Sequence, residues 1–374
     1  MAFVIGASEV PRALSSGQKY ASLDSPARSS GEGSAVSCHG YSGSLLADNW
    51  CVERRHAAII YNPVHSPLGR LRDAVDAQER LLGWGPSMWF KTAAEDAGRQ
   101  AACDAAATAP DVMLVAGGDG TIRTVVEAVR ESGVPIAPLP VGTGNLLARN
   151  LSLPLTDLER SIEAAFTGAD QTVDVGLAEL EHESGDRTSH VFLVMAGMGL
   201  DAAMAENTSR SAKKRLGWLA YVAPIARSII ANQLFHLDYR IDGGRVKSTR
   251  AHTIIVGNCG TLTGNMLLIP AAVVDDGLLD VVAMRPTGFF SWARIGTRLT
   301  VQDAARRLRV SSRMHRRRRS DFNGLTYAQG KKFEARFETP HAIELDGDLF
   351  GNVTRVRITV QQGALRLRTP ALRR

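Results

Sequence analysis

From His56 onward the apolar positions of the chain fall into two repeating periods. Short apolar runs of strand length, near 57–61, 87–91, 112–116 and 134–138, are each followed by a stretch of helical spacing, near 67–83, 93–107, 122–132 and 144–151. Strand and helix in strict alternation predict a parallel sheet with helices on both faces, a Rossmann-like α/β domain over residues 55–171. Beyond about residue 170 the helical period gives way to strands at short intervals: 172–179, 189–195, 234–241, 251–257, 278–284, 333–337, 342–345 and 354–360. These predict an antiparallel, β-rich second domain over residues 172–374, interrupted by helical insertions near 210–232 and 287–310, with a C-terminal tail free to return to the first domain. Residues 1–54 carry Ser, Gly, Ala and small polar residues without a sustained period, and are expected to form a mostly disordered leader. No basic n-region or apolar core marks a signal peptide there.

Composition narrows the class. At 374 residues, 44% apolar and 22% charged, the chain has ordinary globular usage and room for about two domains. No run approaches the roughly eighteen apolar residues of a membrane span, so membrane contact is expected to be peripheral and the location cytoplasmic. Cys38, Cys51, Cys103 and Cys259 form no Cys-x-x-Cys pair, and the histidines form no zinc-like cluster.

The net charge of +6 is uneven. Residues 306–319 hold eight arginines and His315, downstream of Phe289, Phe290, Trp292, Ile295 and Leu299 at one-face helical spacing. An apolar face leading into a basic run suits an anionic membrane surface, and makes 289–319 the expected peripheral docking segment. The same pattern also fits a helix packed on the second domain with solvated arginines. Nucleic acid is not expected as a partner, and a homodimer is left open.

The chemistry concentrates at Leu114–Val–Ala–Gly–Gly–Asp–Gly–Thr121, where an apolar strand runs into three glycines, a carboxylate and a hydroxyl. Gly117, Gly118 and Gly120 remove side chains that would keep backbone N–H groups from phosphate oxygens, and glycine reaches the positive φ expected of such a loop. Asp119 beside phosphate makes sense if a divalent cation lies between them, or if it takes a proton from an attacking hydroxyl. The helix expected from about Ile122 would present its N-terminus to the same anion. A second apolar run then ends in Gly142–Thr143–Gly144–Asn145 and opens another helix.

GGDGT followed by PVGTGNLLARNLSLP resembles the diacylglycerol kinase catalytic family, which includes bacterial lipid kinases and sphingosine kinases. Tyr61–Asn62–Pro63 is similar to the family's opening nucleotide loop, and Thr92 to the threonine after its second strand. Val194–Asp201 resembles its glycine-rich segment, Asp275–Asp280 its DDGxxD element, and Glu344–Asp348 its Leu-Asp-Gly-Glu element. The likeness covers roughly residues 55–370.

That resemblance implies an NAD-kinase-like α/β domain, a β-sandwich second domain that receives the lipid, and an active site in the cleft between them. It implies an ATP- and Mg²⁺-dependent lipid kinase, with diacylglycerol the leading substrate and a sphingoid base the alternative. Asn62, Pro63, Thr92, Gly117, Gly118, Asp119, Gly120, Thr121, Gly142, Thr143, Gly144 and Asn145 would surround ATP. Asp346 would be the general base with Asp348 supporting it, and Asp119 is the rival base. Asp119 and Asp276, with Asp275 in reserve, would hold Mg²⁺. The chain departs from the family's pattern in several places: the glycine usual after Asn-Pro is not at Ser66 and appears only at Gly69, Asp348 stands for its Glu, Arg123–Thr124 for a common Asn-Glu, and Leu146 for an Asp found in several relatives.

Other readings remain. Gly142–Ala148 could open a dinucleotide turn, although Pro138 and Pro140 sit in the preceding strand and GGDGT would go unexplained. NAD kinases share GGDGT, but the LLARN and DDGLLD elements favour the lipid kinase branch. A non-catalytic lipid or nucleotide sensor would have little reason to keep Asp119, Asp276 and Asp346 together. Asp276–Gly277 and Asp346–Gly347 are also ordinary hairpin-turn dipeptides.

Overall fold

Strand and helix alternate through the first half of the molecule. The computed structural model describes residues 54–199, 234–262, 266–267, 269, 272–285 and 325–370. The expected leader, apart from Arg54, both helical insertions and the basic segment 289–319 lie outside the described residues. Strands β1 (Ala57–Tyr61), β2 (Met88–Lys91), β3 (Val112–Gly117) and β4 (Ile136–Pro140) are parallel, in the order β2-β1-β3-β4. Ala57, Ile59, Val112 and Leu114 pack on one face with Leu71 and Val75 of α1 (Leu68–Leu82) and Ile162 of α5 (Leu158–Thr167). Their neighbours Ala58, Ile60, Met113 and Val115 pack on the other face with Ala102 of α2 (Arg99–Ala107) and Val125 and Val126 of α3 (Asp119–Val129). Helices on both faces explain why these strands are apolar at every position rather than at alternate ones. The short α4 (Leu146–Asn150) follows β4.

The helices differ from the sequence expectation in where some begin and in one that was not expected. Helix α2 begins at Arg99 rather than near 93, because the Asp96 carboxylate accepts the N–H groups of Gly98 (2.9 Å) and Gln100 (2.7 Å) and makes residues 96–98 a turn. Helix α3 begins at Asp119, three residues before Ile122. Helix α5 was not anticipated, although its signal is present: Asp157 caps it by accepting the N–H of Arg160 (3.0 Å), and Leu158, Ile162, Ala165 and Phe166 share its buried face.

The second half is antiparallel and β-rich. It comprises β5 (Ala169–His182), β6 (Arg187–Phe192), β7 (Met195–Met198), β8 (Phe235–Ile241), β9 (Lys247–Ala251), β10 (Thr253–Gly257), β11 (Thr261–Leu262), β12 (Met266–Leu267), β13 (Leu279–Met284), β14 (Leu325–Gly330), β15 (Lys332–Leu345) and β16 (Asp348–Thr369). Phe192, Leu237, Val256, Phe333, Ile343, Val356 and Ile358 form its core. Strands β14-β13-β10-β7-β15-β16 run in that order, with β5 on β16 and β8 on β15. Near its end β16 pairs parallel with β4, Leu367 against Ile136, so one fourteen-stranded sheet passes through both halves. The apolar run at 189–195 is not one strand. It breaks between Phe192 and Met195, where the backbone N–H groups turn away to a carboxylate described below.

Candidate active site

The carboxyl ends of the parallel strands lie along one edge of the sheet, the edge at which open α/β sheets bind ligands. Asn62 follows β1, Thr92 follows β2, Gly117 ends β3, and Gly142–Asn145 follow β4. Asn62 spends its side chain within its own turn, Oδ1 accepting the N–H of Val64 at 3.0 Å, while Pro63 is exposed. Thr92 is buried, and its N–H donates to the Tyr61 carbonyl at 3.0 Å.

The glycines act by closeness rather than by unusual dihedral angles. None of Gly117, Gly118, Gly120, Gly142 or Gly144 has positive φ, which corrects the expectation from sequence; the left-handed residue here is Asn145, at φ 48°. A Cβ on Gly142 would stand 2.6 Å from the Gly118 Cα, one on Gly117 2.6 Å from the Thr121 Cβ, and one on Gly120 2.5 Å from the Asp348 Oδ2. Residues 117–121 are thus a strand end running directly into a helix, with Gly118 as N-cap and Asp119, Gly120 and Thr121 in the first turn of α3. The first N–H groups of that turn have no carbonyl within the helix to bond.

Asp119 ties the two glycine segments together. Its Oδ1 accepts the N–H of Leu147 at 3.2 Å, so the carboxylate closes the start of α4. Burial pushes its pKa up, against the pull of the N–H groups of Leu146, Leu147 and Asn145. Asn145 is buried, its Nδ2 donating to the carbonyls of Pro140 (3.2 Å) and Gly142 (2.8 Å), and its Oδ1 has no partner. An orphaned acceptor beside a cradle that a single Cβ would fill fits a polar ligand such as a nucleotide phosphate with its counter-ions or waters. Thr143 is exposed at the tip of the loop.

Asp346 reaches the same place from the second half. It and Gly347 form the two-residue turn between β15 and β16, at φ 51° and 89°, closed by the pair Leu345 and Asp348. Asp-Gly is therefore a hairpin turn, as its residue types predict. The carboxylate is 7% exposed and accepts three backbone N–H groups, from Leu193 (2.8 Å), Val194 (2.8 Å) and Met195 (3.0 Å). Burial raises its pKa to about 6; the three N–H groups oppose that rise and the negative charge of Asp119 adds to it. A carboxylate oriented by fixed donors that holds a proton more tightly than an ordinary Asp is chemically suited to accept one. Asp348 lies beside Gly120 and accepts a 3.0 Å hydrogen bond from Arg123 Nη2.

Asp275 and Asp276 occupy a different turn. Asp276 Oδ1 accepts the N–H of Leu278 at 3.0 Å, and burial, then the charges of Asp174 and Asp275, raise its pKa. Asp174, which the sequence reading passed over, is 1% exposed and holds this turn through the N–H of Gly277 (2.6 Å) and the start of the next bend through the N–H of Gly363 (2.8 Å). Its signal was a carboxylate inside the otherwise apolar buried run Val173–Val175. Among the described residues no group of three or more His, Cys, Asp or Glu side chains is placed to hold a metal ion. The turn nonetheless fits a cation completed by carbonyls and water, since burial and the negative charges of Asp174 and Asp275 disfavour the ionised Asp276, and a bound cation would offset them.

The family relationships agree with this geometry. Residues 56–178 match the diacylglycerol kinase catalytic domain, and residues 194–311 match the YegS C-terminal NAD kinase beta sandwich-like domain. A probable lipid kinase YegS-like of Pseudomonas aeruginosa is 31% identical over 310 residues, 80% of this chain and 90% of that protein. A diacylglycerol kinase of Bacillus subtilis is 24% identical over 247 residues, 65% of this chain and 78% of that protein. The crystal structure of a putative diacylglycerol kinase from Bacillus anthracis superposes with a TM-score of 0.65 at 21% identity, covering 86% of this chain and 97% of that one, and so shares the fold. With both domains of that family matched in order along the chain, and a relative 31% identical over most of both proteins, the chain belongs to the family of lipid kinases built on the diacylglycerol kinase catalytic domain.

Proposed function

We propose that this lipid kinase transfers the γ-phosphoryl group of ATP to the hydroxyl of diacylglycerol, giving phosphatidic acid and ADP, with Mg²⁺ required. The observation that carries the reading is Asp346: a buried carboxylate, oriented by three N–H groups, raised in pKa by its burial and further by the charge of Asp119 in the first turn of α3. In the proposed reaction the lipid oxygen bonds to the γ-phosphorus, the bond to the ADP oxygen breaks, and the hydroxyl proton passes to Asp346. Gly117–Thr121 and Gly142–Asn145 bind the phosphates through bare backbone, which suits a loose transition state that needs positioning more than covalent help. Mg²⁺, when bound, would neutralise phosphate charge, and Asp276 and Asp119 are the residues to hold it. An anionic membrane surface, met through residues 289–319, completes the proposal.

The test is purified protein with labelled ATP and Mg²⁺ against diacylglycerol, monoacylglycerol and sphingoid bases in mixed micelles. Label in phosphatidic acid above all other products is the expected result. Preferential labelling of a sphingoid base would move the acceptor, and no labelled lipid at all would sink the reading.

A further inference from the structure

We propose that Arg123 is a positioning residue, which grips the Asp348 limb of the β15–β16 turn and thereby sets Asp346 against Asp119. The inference rests on the phosphoryl-transfer reading above. Arg123 lies on α3 one turn after Asp119, with a side chain only 9% exposed. Its Nη2 donates to Asp348 Oδ2 at 3.0 Å, and its guanidinium carbon stands 4.7 Å from the Phe350 ring centroid. Its Nε is buried with no partner. A buried cation that is incompletely bonded is a poor way to fill space, since an apolar side chain of the same volume would do so at lower cost. The charge therefore makes sense through what it holds.

What it holds is one side of a very short turn. Asp346 is fixed from the other side, by the N–H groups of residues 193–195 and by its own N–H to the Met195 carbonyl at 2.9 Å. Only Gly347 separates it from Asp348. Phe350, two residues on and so on the same face of β16, packs against His190 with the ring centroids 4.5 Å apart and the planes inclined at 50°, and His190 Nδ1 lies 3.5 Å from Glu127 of α3. The limb 348–350 is thus held along two turns of the helix that begins with Asp119. Gly120 has no Cβ, which lets the Asp348 carboxylate lie close enough to be reached. Two departures from the family's pattern, Arg for Asn and Asp for Glu, meet in this one contact, the long side chain reaching the shortened one. A planar guanidinium can stack on Phe350 and donate to Asp348 together, which an ammonium cannot.

The test compares kcat, KM and amide exchange in the wild-type chain, Arg123→Met, Arg123→Lys, Asp348→Asn, and the double variant Arg123→Met/Asp348→Asn. Each of Arg123→Met and Asp348→Asn should lower kcat about tenfold or more while KM for ATP changes less than about twofold, and the double variant should be no worse than about threefold below the lower single. Arg123→Lys should recover part of kcat. Losses that multiply in the double variant, or an unchanged kcat with only a lowered Tm, would overturn the proposal. If the wild-type chain phosphorylates no lipid, the kinase reading fails, and hydrogen exchange across residues 344–350 still decides the inference. Faster exchange in either single variant supports the grip, and unchanged exchange in both refutes it.

Discussion

Gly118 and Gly142 meet backbone to backbone: a Cβ on Gly142 would stand 2.6 Å from the Gly118 Cα. The strand-to-helix junction after β3 and the loop after β4 are thereby pressed into one surface, with Asp119 bonded to the N–H of Leu147 as the tie between them. Gly142→Ala must push these segments apart, because the obstructing atom is backbone and cannot swing aside. The expected result is a rise of about tenfold or more in KM for ATP, equivalent to about 1.4 kcal/mol of binding. Gly69→Ala, where nothing lies within 4 Å of the added carbon, is the control. Equal KM values for both variants and wild type would show that the contact does not shape the nucleotide site.

Asp346 and Asp119 are separable by kinetics. The Asp346 carboxylate is bonded to the N–H groups of residues 193–195, in the second half, so Asp346→Asn should lower kcat by about a hundredfold or more and leave ATP affinity nearly unchanged. Asp119 closes α4 beside Gly144, so Asp119→Asn should weaken nucleotide binding as well. Full activity in Asp346→Asn with loss confined to Asp119→Asn would move the base to the first half.

The pH dependence follows from the same burial. Asp346 has its pKa raised from 3.8 to about 6, so the basic form accumulates as pH climbs through that value and kcat/KM should rise with it. Stability runs the other way. The folded chain holds this proton more tightly than the unfolded chain does, so its contribution is complete below about pH 4 and is lost as pH rises through about 6, by up to about 3 kcal/mol. Asp280, buried and also raised to about 6, adds in the same direction. Asp346→Asn should therefore flatten only part of the fall in urea-unfolding stability between pH 4 and 7. A slope unchanged from wild type would mean that Asp346 is already ionised at pH 4.

The α/β half was legible because its signals are local. Fully apolar strands, helices of regular period and a glycine-rich junction are each written within a dozen residues, and the fold places Asp119, Asn145 and Thr92 at the strand ends where that reading put them. What sequence left hidden was set by partners far along the chain. The Asp346 carboxylate is explained by N–H groups more than a hundred and fifty positions earlier, the break between β6 and β7 by the same bonds, and Arg123 by Asp348, 225 residues away. Of the two reasons the sequence offers for the glycines of GGDGT, positive φ does not hold and close approach does, although one of the atoms approached, the Asp348 carboxylate beside Gly120, lies far along the chain where a local pattern cannot reveal it.

Asp174 supplies the last prediction, because it couples the stability of the molecule to its acidic turn. It is 1% exposed, and its two oxygens separately accept the N–H groups of Gly277 and Gly363, joining β5 to the Asp275–Asp276 turn and to a bend within β16. Bonds from N–H to a buried carboxylate contribute about 1.5–3 kcal/mol each, so Asp174→Ala should lose about 3 kcal/mol or more in urea unfolding. It should also release the turn that presents Asp276. If that turn binds Mg²⁺, the cation should raise the Tm of the wild-type chain and raise it much less in Asp174→Ala, since ligand binding stabilises only the conformation that can bind. The Tm shift reads binding without any turnover. Equal Mg²⁺ shifts in the two proteins would place the ion elsewhere, and the absence of a shift in the wild-type chain would remove it from this turn altogether.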